Sequence, residues 1–152
     1  MNTDTITDTD LITTIDFGQS LKAMIAAGNY DWKNDAITTN RFPVKGTGIK
    51  KFRNKPFHFN RYISSEDVVA AMKQAGFEPA THVHGIAFGA AFPDEQRKYP
   101  IACLGSSAQA DGNRGVVDLI GGGAERYLSL RGWVDGWGDF WRFLGVQVVS
   151  DA

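Results

Sequence analysis

Residues 63–81 read Ile-Ser-Ser-Glu-Asp-Val-Val-Ala-Ala-Met-Lys-Gln-Ala-Gly-Phe-Glu-Pro-Ala-Thr, and they give the clearest indication of the fold. Ser64 followed three positions later by Asp67 is typical of a capped helix N-terminus. Gly76 is typical of the residue that follows the last turn of a helix. The stretch therefore predicts a helix that begins after Ser64 and ends before Gly76.

Two further helices are predicted on either side of this one. Before it, residues 16–28 place apolar side chains at the three-and-four spacing of one helix face, and Gly28 suits a left-handed stop. After it, Thr81 can cap a third helix, which must end before Pro93 because proline cannot continue it.

After Pro100 the sequence pattern changes from helical to strand-like, because short apolar segments alternate with Gly-rich or polar turns. Residues 57–63 also alternate like a strand, whereas residues 43–55 are predicted to be loop. We therefore expect an α+β fold with helices in the first two thirds packed on a C-terminal antiparallel β region. The predicted C-terminal strands are Ile101–Leu104, Val116–Ile120, Arg126–Arg131 and Trp141–Val149.

The 152 residues suit one domain with its own core. Residues 1–14 alternate Thr and Asp, which predicts a flexible N-terminal arm and leaves residues 15–152 as the domain. The polar start lacks the pattern of a signal peptide, and no apolar run approaches the roughly 18 residues that span a bilayer. These features predict a cytoplasmic protein with no membrane contact. Cys103 is the single cysteine, which excludes an intrachain disulfide.

Charge and glycine patterns exclude several classes of ligand. Sixteen Lys+Arg against 17 Asp+Glu give a formal net charge of −1, so no basic excess indicates nucleic acid. Gly121-Gly122-Gly123 lacks the Lys and Ser/Thr of a phosphate-binding loop and suits a hairpin connection instead. We predict no bound cofactor.

His82 and His84 are the most chemically suggestive pair outside the C-terminal segment. Residues two apart on a helix point roughly 200° away from each other, so the pair suits structural roles better than a shared metal. An enzymatic alternative is a small hydrolase or transferase that uses both histidines with Asp94 or Glu95, with or without a metal. Residues 104–107 lack the Gly-x-Ser-x-Gly pattern of a nucleophile elbow.

The segment Trp133-Val134-Asp135-Gly136-Trp137-Gly138-Asp139-Phe140-Trp141-Arg142 contains three of the chain's four tryptophans. Its glycines disfavour a helix, and rigid aromatics beside polar groups are typical of recognition surfaces. The alternative is that the tryptophans fill the core. We expect Trp141 to point inward and the two aspartates and Trp137 to lie nearer solvent. The candidate ligand-binding residues are Arg126, Trp133, Asp135, Trp137, Asp139 and Arg142.

Residues 62–81 and the helix after them resemble the helix, turn and second helix of C-type-lectin-like domains of the formylglycine-generating-enzyme type. Trp141–Val146 is similar to the Gly-Phe-Arg-Leu-Val strand near the end of those domains. The resemblance implies a C-type-lectin-like fold. A likeness to small bacterial proteins extends over about residues 16–149 and is carried by Tyr99–Ser106, Arg126–Leu128 and Trp133–Val146.

The departures from this pattern narrow the function that the resemblance implies. Glu78 stands where the enzyme type has Arg, His84 stands where it has Glu, and the copper-binding cysteine pair is absent. The scaffold also serves as the variable receptor of diversity-generating retroelements, in which a C-terminal segment binds the ligand. The resemblance therefore implies a binding role and no formylglycine synthesis.

Together these observations favour a non-enzymatic module that binds a protein or a small ligand through its C-terminal surface. Two alternatives stay open. One is the His-dependent hydrolase or transferase described above. The other is an oligomeric assembly subunit, because exposed aromatics often form subunit interfaces.

Overall fold

The structure, a computed structural model, describes residues 10–149. In chain order the strands are β1 (Leu11–Asp16), β2 (Trp32–Lys33), β3 (Ile49–His58), β4 (Glu78–Pro79), β5 (Ile101–Ala102), β6 (Ala108–Ala110), β7 (Asn113–Gly122), β8 (Glu125–Gly132) and β9 (Arg142–Val149). The helices are α1 (Leu21–Ala27), α2 (Ser65–Gln74), α3 (His82–Ala91) and α4 (Glu95–Lys98), and a 3₁₀ turn covers Trp133–Asp135. The fold is therefore mixed α and β, as predicted at this coarse level.

All nine described strands belong to one sheet, in the order β1-β3-β9-β5-β7-β8-β2, with β4 beside β9 and β6 beside β7. The pairs β5–β9 and β2–β8 are parallel, whereas the other pairs are antiparallel. The prediction of a purely antiparallel, C-terminal β region is therefore wrong in two respects. The sheet includes two parallel pairs, and it recruits β1 and β3 from the N-terminal half.

The strand β3 occupies part of the stretch that we predicted to be loop. Phe52, Asn54 and Phe57 are buried, whereas Lys55 is exposed and Arg53 pairs with Asp10. The buried Asn54 amide donates to the carbonyl of Leu11 and to Oγ1 of Thr13, both at 3.0 Å. These contacts with β1 stabilise β3 although it has a polar residue at its centre. The sequence of β3 alone does not reveal them.

The predicted N-terminal arm also requires correction. Leu11–Asp16 pairs along its whole length with β3, and Thr13 and Ile15 are buried. In this pairing the backbone N–H and C=O groups of β1 bond to β3, whereas in a flexible arm they would bond to water. Residues 1–9 of the predicted arm lie outside the described residues.

The helix predictions for the middle of the chain are confirmed. The Ser64 hydroxyl accepts a hydrogen bond from the Asp67 amide at 3.1 Å, and Gly76 has a left-handed φ of +87°. The first helix is also present, but Gly28 is right-handed and Asn29 takes the left-handed conformation, with φ +50°. At Gly28 a Cβ would lie 2.2 Å from the ring of Tyr30, so close packing explains this glycine.

The sheet separates two hydrophobic clusters. The cluster on one face contains Leu21 and Met24 of α1 with Val83 and Ile86 of α3. The cluster on the other face contains residues of α2 with Trp133, Trp137, Trp141 and Phe143. The C-terminal tryptophan segment thus completes a core layer. Within residues 10–149, no helix is long and apolar enough to cross a membrane.

Candidate functional site

Residues 133–141, which we call the tryptophan loop, turn their indole rings inward. Trp137 has 0% of its surface exposed, and Trp133 and Trp141 are also buried. Trp137 and Trp141 pack edge to face with ring centroids 4.7 Å apart, an arrangement that contributes beyond simple burial. The prediction that Trp141 points inward is confirmed, whereas the prediction that Trp137 lies nearer solvent is wrong.

The start of α2 holds the loop through hydrogen bonds. The Ser65 hydroxyl donates to the carbonyl of Trp133 at 2.7 Å and accepts from the Trp137 indole N–H at 2.9 Å. The Trp133 indole N–H donates to Oε2 of Glu66 at 2.6 Å, and this bond lowers the pKa of the Glu66 carboxyl. Ile63 and Trp137 exchange two backbone hydrogen bonds of 3.0 Å. The loop is therefore fixed at its inner side.

Backbone geometry explains why the expected alternation fails in this loop. Trp133–Asp135 forms a 3₁₀ turn, and Gly136 has a left-handed φ of +74°. An extended chain would place residues 133, 135, 137, 139 and 141 on one face. The turn instead separates the buried tryptophans from Asp135 and Asp139, which are exposed as predicted.

Arg126, a predicted ligand contact, is a core residue with 3% of its surface exposed. Its guanidinium donates to the carbonyls of Gly28 and Gly89 and to Oε1 of Gln96. The guanidinium carbon also lies 4.6 Å from the ring centroid of Tyr30. These bonds join α1, α3 and α4 to β8, so no surface of Arg126 remains for a ligand. Its placement as a surface contact is therefore wrong.

Exposed aromatic and aliphatic side chains lie on the outer side of the loop. Phe140 is 59% exposed, Tyr62 is 68% exposed and Val134 is 84% exposed. Tyr62 lies so close to Gly136 that a Cβ there would be 1.8 Å from the tyrosine hydroxyl oxygen, and a Cβ at Gly138 would be 3.3 Å from the Phe140 ring. The glycines thus provide room for exposed aromatic rings. Sequence reasoning missed Tyr62 and Phe140 because the tryptophans dominate the pattern.

Arginines stand beside Phe140. Phe140 lines two neighbouring clefts of about 370 and 450 Å³, with Arg131 in the first and Arg142 in the second. The Arg142 guanidinium lies 4.5 Å from the ring centroid of Tyr99 and is partly exposed. The Arg131 guanidinium lies 5.3 Å from the ring centroid of Trp141. Of the six predicted contact residues, Asp135, Asp139 and Arg142 therefore reach the surface of this region.

An ionisable group is buried beneath the loop. Asp118 follows Val116 at the strand period of two, so it shares the sheet face of the tryptophan cluster. Burial raises the pKa of Asp118 to about 7, and Arg131 and the Ser129 hydroxyl oppose this shift only in part. Its Oδ1 atom has no hydrogen-bond partner among the described residues. The carboxyl is therefore held in an environment that favours its neutral form.

The two histidines at the start of α3 have separate environments, as predicted. The His82 backbone N–H donates to the Ser106 hydroxyl at 2.8 Å, and His82 Nδ1 lies 2.9 Å from the same oxygen. His84 Nδ1 accepts from the Thr81 amide at 2.9 Å, and its ring packs on Phe52. Burial lowers the pKa of each histidine to about 4. Both are therefore neutral at pH 7.

The residues of the enzymatic alternative are not brought together. Asp94 pairs with Arg97, and Glu95 pairs with Lys98, around α4 at the far end of α3 from His82. Among residues 10–149, no group of three His, Cys, Asp or Glu side chains is placed to hold a metal ion.

His82 instead lines a cleft of about 490 Å³, which we call the His82 cleft. Three segments form it: residues 40–45, residues 81–83 and residues 105–107. Gly105 fits only because it lacks a side chain, since a Cβ would lie 2.2 Å from the Pro79 carbonyl oxygen. The Ser106 contact with His82 was not predicted, and no local sequence signal indicates it.

Comparisons with known proteins do not assign the chain to a family. No family model matches it, and neither the curated proteins nor the solved structures include a significant match.

Proposed function

We propose that the protein is a non-enzymatic module that binds a protein partner through the outer face of the tryptophan loop. This outer face consists of Tyr62, Val134, Asp135, Asp139, Phe140 and Arg142. The single observation that carries the proposal is the 59% exposure of Phe140 on a loop whose three tryptophans are buried.

The anchoring of the loop supports this proposal energetically. An exposed aromatic ring gains most from binding when its backbone is already ordered, because little conformational entropy is then lost. Trp137 and the Ser65 hydroxyl hold the backbone beneath Phe140 before any partner arrives. Aromatic side chains in such positions are frequent hot spots of protein interfaces.

The neighbouring charges indicate the chemistry of the partner. Arg142 and Arg131 line the clefts beside Phe140, and each presents a fork of donors that suits a carboxylate. We therefore expect a partner surface that offers an apolar side chain next to an acidic one. The surface aspartates Asp135 and Asp139 would select against partners that are acidic throughout.

A capture experiment with matched variants tests this proposal. The immobilised full chain, the double variant Tyr62→Ser/Phe140→Ser and the control Trp32→Ser/Val148→Ser are exposed to extract of the source cells. The control removes two side chains that are 52% and 60% exposed but lie outside the outer face. We expect a protein that the wild type and the control retain and the Tyr62/Phe140 variant loses. Equal retention by all three proteins, or by none, would reject the outer face.

Self-association of the chain must be distinguished from binding of a different protein. Analytical ultracentrifugation of the same three proteins over a hundredfold concentration range measures it. A dimer that dissociates only in the Tyr62→Ser/Phe140→Ser variant would assign the outer face to a second copy of the chain. That result would support the function of an oligomeric assembly subunit in place of the proposed binding module.

The C-type-lectin-like fold and the role of a retroelement variable protein belong to the same proposal. The succession of α2 and α3 supports it, as does the placement of the C-terminal segment at the surface. Close relatives should vary at exposed loop positions such as Val134, Asp135, Asp139 and Phe140 and keep the three tryptophans. Variation spread evenly over the whole chain, rather than concentrated within residues 113–142, would count against the role. We also propose a cytoplasmic location, which fractionation of source cells tests.

A further inference from the structure

The His82 cleft combines positive charge with a lack of negative charge. Arg41 and Lys45 line it and are exposed, and none of its lining residues is acidic. Arg114 adds a third cation at one end, where its Nε donates to the Ser107 hydroxyl at 3.0 Å. Lys45 is near enough to oppose protonation of His82 and so to lower its pKa further. Such a site in a chain of net charge −1 favours an anion.

The start of α3 adds to this preference. Residues 81–83 form one wall of the cleft and are the first residues of a ten-residue helix. The N-terminal end of a helix carries a partial positive charge of roughly half a unit. Oxyanions are stabilised at such ends.

His82 supplies an observation that is independent of these charges. Only 5% of its surface is exposed. The Ser106 hydroxyl accepts from the His82 backbone N–H at 2.8 Å and lies 2.9 Å from Nδ1 of the same residue, so it joins the ring to the serine turn. The Nε2 atom of the ring forms no hydrogen bond within residues 10–149, although the carbonyls of Phe42 and Pro43 favour its proton. The wall of the cleft therefore contains a buried imidazole held between Ser106 and the backbone carbonyls of Phe42 and Pro43.

The size and remaining lining of the cleft indicate more than a bare ion. A volume of about 490 Å³ lies within the range of small-molecule sites. Pro43 contributes exposed apolar surface beside the cations. The Gly105 amide donates to the Ala80 carbonyl at 2.7 Å, which holds the serine turn against the helix start. The site is thus preformed from three segments.

We propose that the His82 cleft binds the phosphate group of a small phosphorylated organic molecule. Arg41 and Lys45 neutralise its charge, and the hydroxyls of Ser106 and Ser107 lie beside it. The organic part rests on Pro43. This site is separate from the outer face of the tryptophan loop, so either proposal can fail without the other.

Titration of the ¹⁵N-labelled full chain with phenyl phosphate, followed by NMR, tests the site. We expect saturable shifts of the amides of His82, Val83, Ser106 and Ser107. Bound phosphate should also raise the pKa of His82, because it places negative charge near the ring. Inorganic phosphate should bind at the same amides more weakly, because it lacks the organic part.

A charge-matched pair of variants gives the decisive comparison. Arg41→Gln/Lys45→Gln should weaken binding of phenyl phosphate by about tenfold or more. Lys50→Gln/Lys51→Gln removes the same charge from exposed positions of β3 and should leave binding unchanged. Equal weakening in both pairs, shifts outside the cleft or a lack of saturation would overturn the site. Benzoate binding as tightly as phenyl phosphate would overturn the assignment to phosphate.

Discussion

The tryptophan loop and the His82 cleft differ in what their most conspicuous side chains do. In the loop, Trp137 forms part of the core, and the exposed groups are its neighbours. In the cleft, Ser106 lies in a sequence without a recognisable motif, yet it lines an open space together with His82. Residue type therefore does not separate contact residues from core residues. The hydrogen-bond partners do, since an indole that already donates to Ser65 has no donor left for a ligand.

The two regions also bury ionisable groups of opposite type: an acid lies beneath the loop, and bases lie at the start of α3. Burial raises the pKa of Asp118 beneath the loop to about 7 and lowers the pKa of His82 and His84 to about 4. In both regions the folded chain favours the neutral form. As the pH falls, the fold gains stability through Asp118 and loses stability through the histidines, and this opposition distinguishes the regions in solution.

The largest expected effect comes from Trp137→Ala. Removal of a fully buried indole leaves a cavity and removes the hydrogen bond that the Ser65 hydroxyl accepts, so the free energy of unfolding should fall by about 3–5 kcal/mol. Urea denaturation followed by fluorescence and circular dichroism measures this loss. A decrease below about 1 kcal/mol would mean that the loop is a surface element after all.

Arg126→Met tests the second predicted contact that lies in the core. The substitution keeps the apolar stem but leaves the carbonyls of Gly28 and Gly89 without their donors, which should cost about 2–4 kcal/mol. The same denaturation measurement applies. Arg142→Met, which removes a partly exposed guanidinium, serves as the control and should change stability by less than about 1 kcal/mol. Similar losses in the two variants would contradict the contrast between these arginines.

Asp118→Asn should distinguish the contributions of the two regions to the pH dependence of the free energy of unfolding. Between about pH 4 and pH 7 the folded chain keeps a proton on Asp118 that the unfolded chain releases, so its contribution to stability is lost as the pH rises. The variant should therefore be more stable than the wild type by roughly 4 kcal/mol at pH 8 and similar to it at pH 4.

The histidines should then dominate the acid side of the stability profile of this variant. The unfolded chain protonates His82 and His84 below about pH 6.5, whereas the folded chain resists until about pH 4. The variant should lose stability more steeply than the wild type as the pH falls from 7 to 4, because Asp118 no longer compensates. Denaturation at intervals of half a pH unit measures both slopes. Parallel profiles would show that Asp118 is ionised normally in the fold.

A structural feature of this protein is predictable from the sequence when the contacts that form it are close together along the chain. The helix α2 was predictable because Ser64 and Gly76 act within a few residues of the backbone that they cap. The strand β3 was not, because the side-chain amide of Asn54 donates to β1, where Thr13 lies 41 residues earlier in the chain. Similarly, Ser65 fixes the direction of Trp137 from a distance of 72 residues along the chain. Asp135 and Asp139 were placed correctly because aspartate is rarely buried without a partner.

The smallest expected effect on stability is that of Phe140→Ala. The ring is 59% exposed and rests on Gly138 and the face of Trp141, so its loss should lower the free energy of unfolding by less than about 1 kcal/mol. Trp141→Ala, in the next position but buried, should cost about 3 kcal/mol or more in the same assay. Combined with the capture experiment, a stable Phe140→Ala protein that no longer retains the partner would assign the ring to binding alone. A loss that approaches that of Trp141→Ala would make Phe140 part of the core, and the outer face would then lack its central contact.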